Sequence, residues 1–182
     1  MSATRAEVSQ VFVSIMAVIV FAVVLLFGYR AITDVIAKGD RVAFIMFKTD
    51  LERAVRTVAA DYGSVTVFGA QHPLTIPARY RRACFVDLDR RPPASCSTML
   101  SPVICDAWQS AFDSGGYAAG EANMFLEPLG ELPIKVVRIT LDTNRNLMED
   151  AADAGYLCIP TAANRLDLRI EGRGDHAMVS LP

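Results

Sequence analysis

Oxygen-bearing side chains recur at short intervals within residues 142–153, whose sequence is DTNRNLMEDAAD. Carboxylate and amide oxygens are the ligands that calcium prefers, and a tight loop can surround the ion with ligands at positions one, three, five, nine and twelve. The residues at those positions are Asp142, Asn144, Asn146, Asp150 and Asp153. The spacing therefore predicts either a calcium site or a solvated acidic loop between two strands.

This run resembles the calcium loop of EF-hand proteins, from which it departs at two positions. Leu147 stands where such loops place glycine for a sharp turn, and the twelfth position holds Asp153 instead of the longer glutamate. The flanking residues also have the pattern of strands rather than helices. Calcium is the one cofactor that the sequence suggests, and no other is expected.

Four cysteines lie beyond residue 80, and none belongs to a Cys-x-x-Cys pair that would suggest zinc. An even number of dispersed cysteines is typical of disulfides formed in an oxidising compartment. Among the three possible pairings we favour Cys96 with Cys105 as a local link and Cys84 with Cys158 as a link between strands. Unpaired buried thiols in a cytosolic domain are the alternative.

The residues that could perform nucleophilic catalysis stand in no recognisable motif. A serine or cysteine nucleophile needs a general base, and the two histidines are His72 in a proline-flanked loop and His176 beside a turn. The formal net charge of −2 offers no basic surface for a nucleic acid. We therefore expect neither an enzyme nor a nucleic-acid-binding protein.

The longest apolar stretch covers residues 11–29, with the sequence VFVSIMAVIVFAVVLLFGY. At about 1.5 Å per helical residue it spans roughly 28 Å, close to the hydrocarbon thickness of a bilayer. It largely accounts for the mean hydropathy of +0.30. We predict a membrane-embedded helix here, preceded by a polar leader at 1–10. A buried helix of a soluble core is the alternative.

Two patterns disagree about the side of the membrane on which the rest of the chain lies. Arg30, Lys38 and Arg41 follow the apolar stretch and only Arg5 precedes it, which by the positive-inside rule favours a cytoplasmic carboxyl-terminal region. The cysteines favour an extracytoplasmic one. Because two aspartates lie among the basic residues after the stretch, the charge bias is small. We therefore expect a membrane-anchored protein with an extracytoplasmic domain.

The helical pattern continues beyond the apolar stretch and becomes amphipathic over residues 30–62. Gly63 is suited to cap the helix. We predict one long helix whose second half packs on a domain of its own chain, and a span followed by a separate amphipathic helix is the alternative. The apolar stripe of the second half consists of Phe44, Phe47, Leu51, Val55, Val58 and Tyr62.

Residues 63–182 have the pattern of an antiparallel β-rich domain. Residues 165–171, RLDLRIE, alternate strictly between apolar and charged side chains, which indicates a sheet with one buried face. A short helix near 102–113 begins at Ser101 and Pro102, with Trp108 expected in the core. Other strands are predicted at 64–68, 83–88, 123–126, 134–141, 156–159 and 177–180, with a hairpin turn around Ala163 and Asn164. The predicted class is α+β, a long helix packed on an antiparallel sheet.

Glu7 lies at the threshold of the apolar helix, where an unpaired carboxylate is costly in lipid. The chain resembles a type IV pilin or pilin-like protein in four features taken together. These are the polar leader, this acidic residue, the apolar half-helix followed by an amphipathic half, and the disulfide-bearing sheet. In that family a peptidase removes the leader, and a glutamate at the fifth mature position pairs with a neighbour's amino terminus. A chain that starts at Ala3 places Glu7 fifth, whereas a cut after Ala6 is more similar to archaeal class III signal peptides.

The resemblance implies a structural subunit that assembles through its apolar helix into a surface filament or pseudopilus. Its expected partners are the membrane and other copies of the chain, and its expected location is the membrane, or the cell surface once assembled. The alternative is an uncleaved single-span protein that displays an extracytoplasmic binding or interaction domain. The residues expected in the assembly contact are Glu7, Val11, Val18 and Val23.

Overall fold

The structure is a computed structural model that describes residues 3–130, 133–142 and 155–182; the side chains of residues 3–11 and 37 lie outside the description. The chain begins with one long helix, α1 (Ala3–Ala60). It divides into two compact units, Met1–Val42 and Ala43–Pro182. The last part of α1 therefore belongs to the same unit as the sheets.

In the described part of the chain, three sheets and two short α-helices follow α1. The first sheet has the strand order β1-β8-β9-β5, the second pairs β2 with β7, and the third has the order β4-β3-β6. The pairings are antiparallel except that β5 runs parallel to β9. The predicted α+β class is confirmed. The elements are β1 (Val65–Phe68), β2 (Leu74–Thr75), β3 (Arg82–Val86), α2 (Cys96–Met99), α3 (Pro102–Asp113), β4 (Met124–Glu127), β5 (Ile139–Leu141), β6 (Tyr156–Pro160), β7 (Arg165–Leu166), β8 (Leu168–Gly172) and β9 (Ala177–Ser180).

The apolar stripe of α1 forms one side of the main core of the second unit. Leu51 and Val55 are completely buried, and they share a core with Leu168 and Ile170 of β8. The charged side chains of β8 alternate with these leucine and isoleucine side chains and stay partly exposed. The sheet is therefore covered by the helix on one face only, as its alternating sequence predicts.

Strand β3 is buried on both faces. Ala83 and Phe85 contribute to the core that contains α1, whereas Cys84 and Val86 contribute to a second core with Trp108 of α3. Two covered faces explain why this strand reads as a continuous apolar run, without the alternation of β8.

Backbone hydrogen bonds hold the carboxyl end of α1 against the turn that follows β8. The Gly63 N–H donates to the Gly172 carbonyl at 2.9 Å, and the Gly172 N–H donates to the Ser64 carbonyl at 2.8 Å. The Gly174 N–H donates to the Ala59 carbonyl at 2.9 Å, which satisfies one of the free carbonyls of the last helical turn. A Cβ on Gly172 would overlap the carbonyl oxygens at this helix end. The close approach therefore requires glycine.

We expect Gly172→Ala to lower the free energy of unfolding by roughly 1–3 kcal/mol, because the atoms that a Cβ meets are backbone oxygens that cannot rotate away. The thermal midpoint of the full-length protein in detergent, followed by circular dichroism, should fall by roughly 2–10 °C. Gly69→Ala is the matched control, since a Cβ at Gly69 meets open space. Equal midpoints for the two variants would contradict this packing.

Two predicted features were wrong in detail. Tyr62 is 75% exposed, because α1 ends at Ala60 and Gly63 turns the chain with a φ of 80°. The predicted strand 134–141 is reduced to β5, because the side chain of buried Asn123 hydrogen-bonds to the backbone of Val136 and Val137 in place of a neighbouring strand. The predicted antiparallel domain is mostly antiparallel, with one parallel pairing, β5 with β9.

A short strand, β2, follows His72 in the region interpreted as a proline-flanked loop, and the predicted strand 165–171 is interrupted. Strand β7 pairs with β2, whereas β8 pairs with β1 in a different sheet. Asp167 stands at the interruption and bonds to the Arg165 side chain at 2.8 Å. The predicted turn is present, with Ala163 and Asn164 at φ of 50° and 59°.

Candidate functional site

The first half of α1 exposes apolar side chains on all of its sides. Phe12, Val18 and Phe27 are 64%, 68% and 69% exposed. An 18-residue window of this helix has a mean hydropathy of 2.7, and none of the window is buried. By length and composition the segment qualifies as a membrane span, a test that a signal sequence also passes. Such a surface needs lipid or other helices to cover it, because exposed apolar area is unfavourable in water.

The predicted assembly residues occupy more than one side of this helix. Val18 and Val23 are both exposed, and five residues at about 100° each place them about 140° apart around the axis. Glu7 and Val11 lie within α1, but their side chains are outside the described part of the structure. The pairing of Glu7 with a neighbouring amino terminus therefore stays a prediction.

One side of the apolar half carries a shallow groove of about 640 Å³. Two rows of side chains at four-residue spacing border it, and its smallest member is Ala17, between Phe12 and Phe21 in the chain. Rows at this spacing are the ridges that interdigitate when two helices pack. The groove therefore has the form that accepts a ridge of another helix. Its lining residues are Phe12, Val13, Met16, Ala17, Val20, Phe21 and Val24.

Polar side chains begin where the apolar half ends. Tyr29 is 70% exposed, and Arg30 follows it directly. The Thr33 hydroxyl donates to the carbonyls of Tyr29 and Arg30 at 3.2 and 2.9 Å, so its polar group is satisfied within the helix. An aromatic residue next to a basic one is typical of the boundary between membrane and water.

The second unit contains two disulfides, Cys84–Cys158 and Cys96–Cys105. These are the pairs that the sequence favours. The first joins opposite positions of β3 and β6, and the second joins α2 to α3. No cysteine remains free. Two disulfides are characteristic of a domain that matures in an oxidising compartment.

A polar cluster follows β3 and connects several elements. The Trp108 indole N–H donates to the carbonyls of Asp87 and Arg90 at 3.0 and 2.9 Å. The Asp89 carboxylate accepts from the Tyr117 N–H at 3.1 Å and from the Arg138 side chain at 2.7 Å. These contacts tie α3, the turn after it and the segment before β5 to one loop, so the cluster has a structural role. Trp108 is completely buried, which confirms its predicted place in the core.

Burial raises the pKa of the Asp87 carboxyl, and the hydrogen bond from the Asp89 N–H and the nearby Arg90 offset this only in part. The contribution of Asp87 to stability is therefore fully present below its ordinary pKa of 3.8 and is lost as the pH rises through the higher folded-state pKa. The ionised form is the one that the folded protein disfavours.

We expect Asp87→Asn, which keeps the acceptor oxygen without the charge, to raise the thermal midpoint near neutral pH by a few degrees. The gain should decrease as the pH falls through the raised folded-state pKa and disappear below the ordinary pKa of 3.8, where native Asp87 is protonated as well. Thermal unfolding over this pH range measures both effects. Asp106→Asn, at an exposed position of α3, is the control and should change little. A loss of stability in Asp87→Asn at every pH would contradict the assignment.

Neither histidine hydrogen-bonds to a serine or cysteine side chain in the described part of the chain. The His176 Nδ1 lies 2.6 Å from a carboxylate oxygen of Asp175, and this hydrogen bond lowers the pKa of Asp175. His72 accepts from the Gly69 N–H through its backbone carbonyl. The contacts made by the two histidines are thus local and polar.

No known protein family, no characterised protein and no solved structure matches this chain. The functional interpretation therefore depends on the architecture, which combines an exposed apolar helix at the amino terminus with a disulfide-bonded β domain.

Of the five predicted calcium ligands, one lies within the described residues and four lie outside them. Asp142 follows β5, and its N–H donates to the Val179 carbonyl at 3.1 Å. The other four, Asn144, Asn146, Asp150 and Asp153, lie outside the described residues. Within residues 3–130, 133–142 and 155–182 no group of three His, Cys, Asp or Glu side chains is arranged to hold a metal ion. Calcium binding by the 142–153 loop stays a prediction.

Sequence reasoning missed the structural importance of Asp87 and Asn123. Asp87 comes directly after a strand buried on both faces, so its position in FVDLD was an available signal for a buried carboxyl. Asn123 is 1% exposed, and its three hydrogen bonds reach residues more than ten positions away, which nothing in the local sequence indicates.

Proposed function

We propose that this protein is a pilin-like structural subunit, held in the membrane by the apolar half of α1 before assembly. Copies then associate through that helix into a surface filament or pseudopilus. The β domain is displayed on the outside. This function requires a covered helix and a stable display domain, and it requires no catalytic group in the chain.

The observation that carries the proposal is that no residue in the 18-residue window of the apolar half of α1 is buried. Lipid would cover it in the unassembled subunit, and the same helix of other copies would cover it in the assembly. In this second state a ridge of another helix can pack into the Ala17-containing groove, because rows at four-residue spacing are the ridges that interdigitate when helices pack.

The display role is supported by the self-contained second unit. Its main core extends from the Phe44 end of α1 through the strands, and its second core encloses Trp108. The disulfides support an extracytoplasmic location, since such bonds persist in oxidising compartments. The positive charges that follow the apolar half favour a cytoplasmic location of the domain instead.

Mechanical shearing of native cells tests the proposal. We expect the protein in sheared surface material, in particles that sediment far ahead of a single subunit, with a second pool in the membrane. Recovery only from the membrane, as a single copy after chemical cross-linking, would contradict assembly. That result would favour the alternative of an uncleaved single-span protein whose domain binds another partner.

A further inference from the structure

A cleft of about 260 Å³ lies beside α3 in the second unit. One wall is the side of α3 that carries Ala107, Ser110 and Ser114, whose spacings of three and four residues place them on one side of a helix. The other wall is formed by residues 119–122, which precede β4. Both walls consist largely of alanine, serine and glycine, and such short side chains leave the space between them open. We call this space the α3 cleft.

The α3 cleft has an apolar floor and a polar mouth. Ala111 and Phe125 line it and are buried, whereas Ser110, Ser114 and Glu121 line it and are exposed. Its volume is just below the range of about 300–1,000 Å³ that is usual for pockets that hold drug-sized ligands. The cleft therefore suits a small ligand group with an aliphatic part and a polar end.

The polar side chains of the α3 cleft offer acceptor oxygens that no protein group uses. In the described part of the chain, neither the hydroxyls of Ser110 and Ser114 nor the Glu121 carboxylate hydrogen-bonds to another residue. Glu121 is also the only ionisable residue among the described residues that line the cleft. A carboxylate accepts hydrogen bonds and a hydroxyl can accept them too, so a ligand group that only donates can be satisfied here.

The carboxyl end of α3 adds negative potential beside the cleft. The helix ends at Asp113, and its last turn contains no basic residue. The carbonyl groups at a helix carboxyl end carry a partial negative charge that a cation offsets. Asp113 contributes a carboxylate there, which accepts a hydrogen bond from the Gln109 amide at 2.8 Å. The helix end, Asp113 and Glu121 thus all favour a cationic ligand over an anionic or neutral one.

We propose that the α3 cleft binds a primary ammonium group on a short aliphatic stem, which is the chemistry of a lysine side chain. An ammonium has three N–H donors and no acceptor, so it can donate to Glu121 and to the hydroxyls of Ser110 and Ser114. The methylene groups of the stem then lie along the floor, against Ala111 and Phe125. The cleft belongs to the second unit, so this inference is independent of how α1 assembles.

Alanine methyl groups line the cleft and report on its occupation. The full-length protein in detergent, labelled with ¹³C at its alanine methyl groups, is titrated with amide-capped lysine and followed by NMR. We expect saturable shifts of the Ala107 and Ala119 signals, and binding about tenfold weaker for amide-capped norleucine, which lacks the ammonium. Glu121→Gln should weaken lysine binding about tenfold. Asp106→Asn, exposed on α3 outside the cleft, is the control and should leave it unchanged.

Ala107→Leu fills the cleft without a change of charge and should abolish the shifts, while the remaining alanine signals show that the domain is folded. Equal binding of lysine and norleucine, unchanged binding in Glu121→Gln or in Ala107→Leu, or no saturable shift with lysine would each overturn the proposal. Butylamine separates the two sources of such a group. Equal affinities for butylamine and capped lysine would support a site for free amines, and tighter binding of capped lysine would support a site for a lysine of a polypeptide.

Discussion

The double variant Cys84→Ala, Cys158→Ala is expected to lose about 4 kcal/mol of unfolding free energy, and Cys96→Ala, Cys105→Ala about 3 kcal/mol, from the chain-entropy cost of the loops they close. The two bridges span 74 and 9 residues, so the first restricts the unfolded chain far more. It also joins opposite positions of β3 and β6 in the middle of the third sheet. The prediction is therefore tested by whether the Cys84–Cys158 variant loses more unfolding free energy than the Cys96–Cys105 variant.

Thermal unfolding of both variants in detergent, beside the native protein, measures these losses. A fall in the midpoint of roughly 10 °C for the Cys84–Cys158 variant is expected, and a smaller fall for the other pair, which serves as the matched control. Each variant removes two sulfur atoms from the second core or its border, so the loss of packing is similar. A larger loss from the local Cys96–Cys105 pair would contradict the account of how the domain is stabilised.

The second large effect is expected from Val18→Arg, which puts a charge in the middle of the apolar half of α1. An arginine at the centre of a membrane helix costs roughly 2.5–3.5 kcal/mol on insertion scales, and a helix bundle without water offers it no better environment. We expect surface assemblies to be abolished and the membrane-bound pool to decrease. Electron microscopy and immunoblotting of sheared and membrane fractions measure the two quantities.

Val18→Leu is the control, because it keeps the position apolar and should leave both fractions unchanged. Replacement of the whole apolar half by a polyleucine span adds a sharper comparison, since it preserves anchoring and removes the Ala17-containing groove. Assembly that survives the polyleucine replacement, or survives Val18→Arg, would contradict assembly through this helix.

Periodicity predicted those parts of the fold in which one face of an element is buried. The stripe that contains Leu51 and Val55 and the alternation of Leu168 and Ile170 both locate the main core from the sequence alone. The end of α1 was misplaced by two residues, because it depends on hydrogen bonds to a distant part of the chain. The Gly63 N–H donates to the Gly172 carbonyl, and the Gly174 N–H donates to the Ala59 carbonyl. The loss of the strand before Ile139 has a similar cause, since the buried Asn123 takes the backbone partners that a strand would need.

The parts of the candidate site that follow from composition and residue spacing were predictable from the sequence. Hydropathy alone identified the apolar half of α1, and the number and spacing of the cysteines suggested both disulfides. The groove around Ala17 requires the helix geometry as well as the sequence.

The intact mass and amino-terminal sequence of the protein in sheared surface material test the central claim most directly. The account predicts a processed chain that begins at Ala3 or at Glu7, after loss of residues 1–2 or 1–6, with the apolar half retained. A chain that still begins at Met1 or Ser2 would contradict a pilin-like subunit and favour the uncleaved anchor. A chain that begins beyond residue 29 would show that the apolar half is a removed signal sequence, and would contradict both.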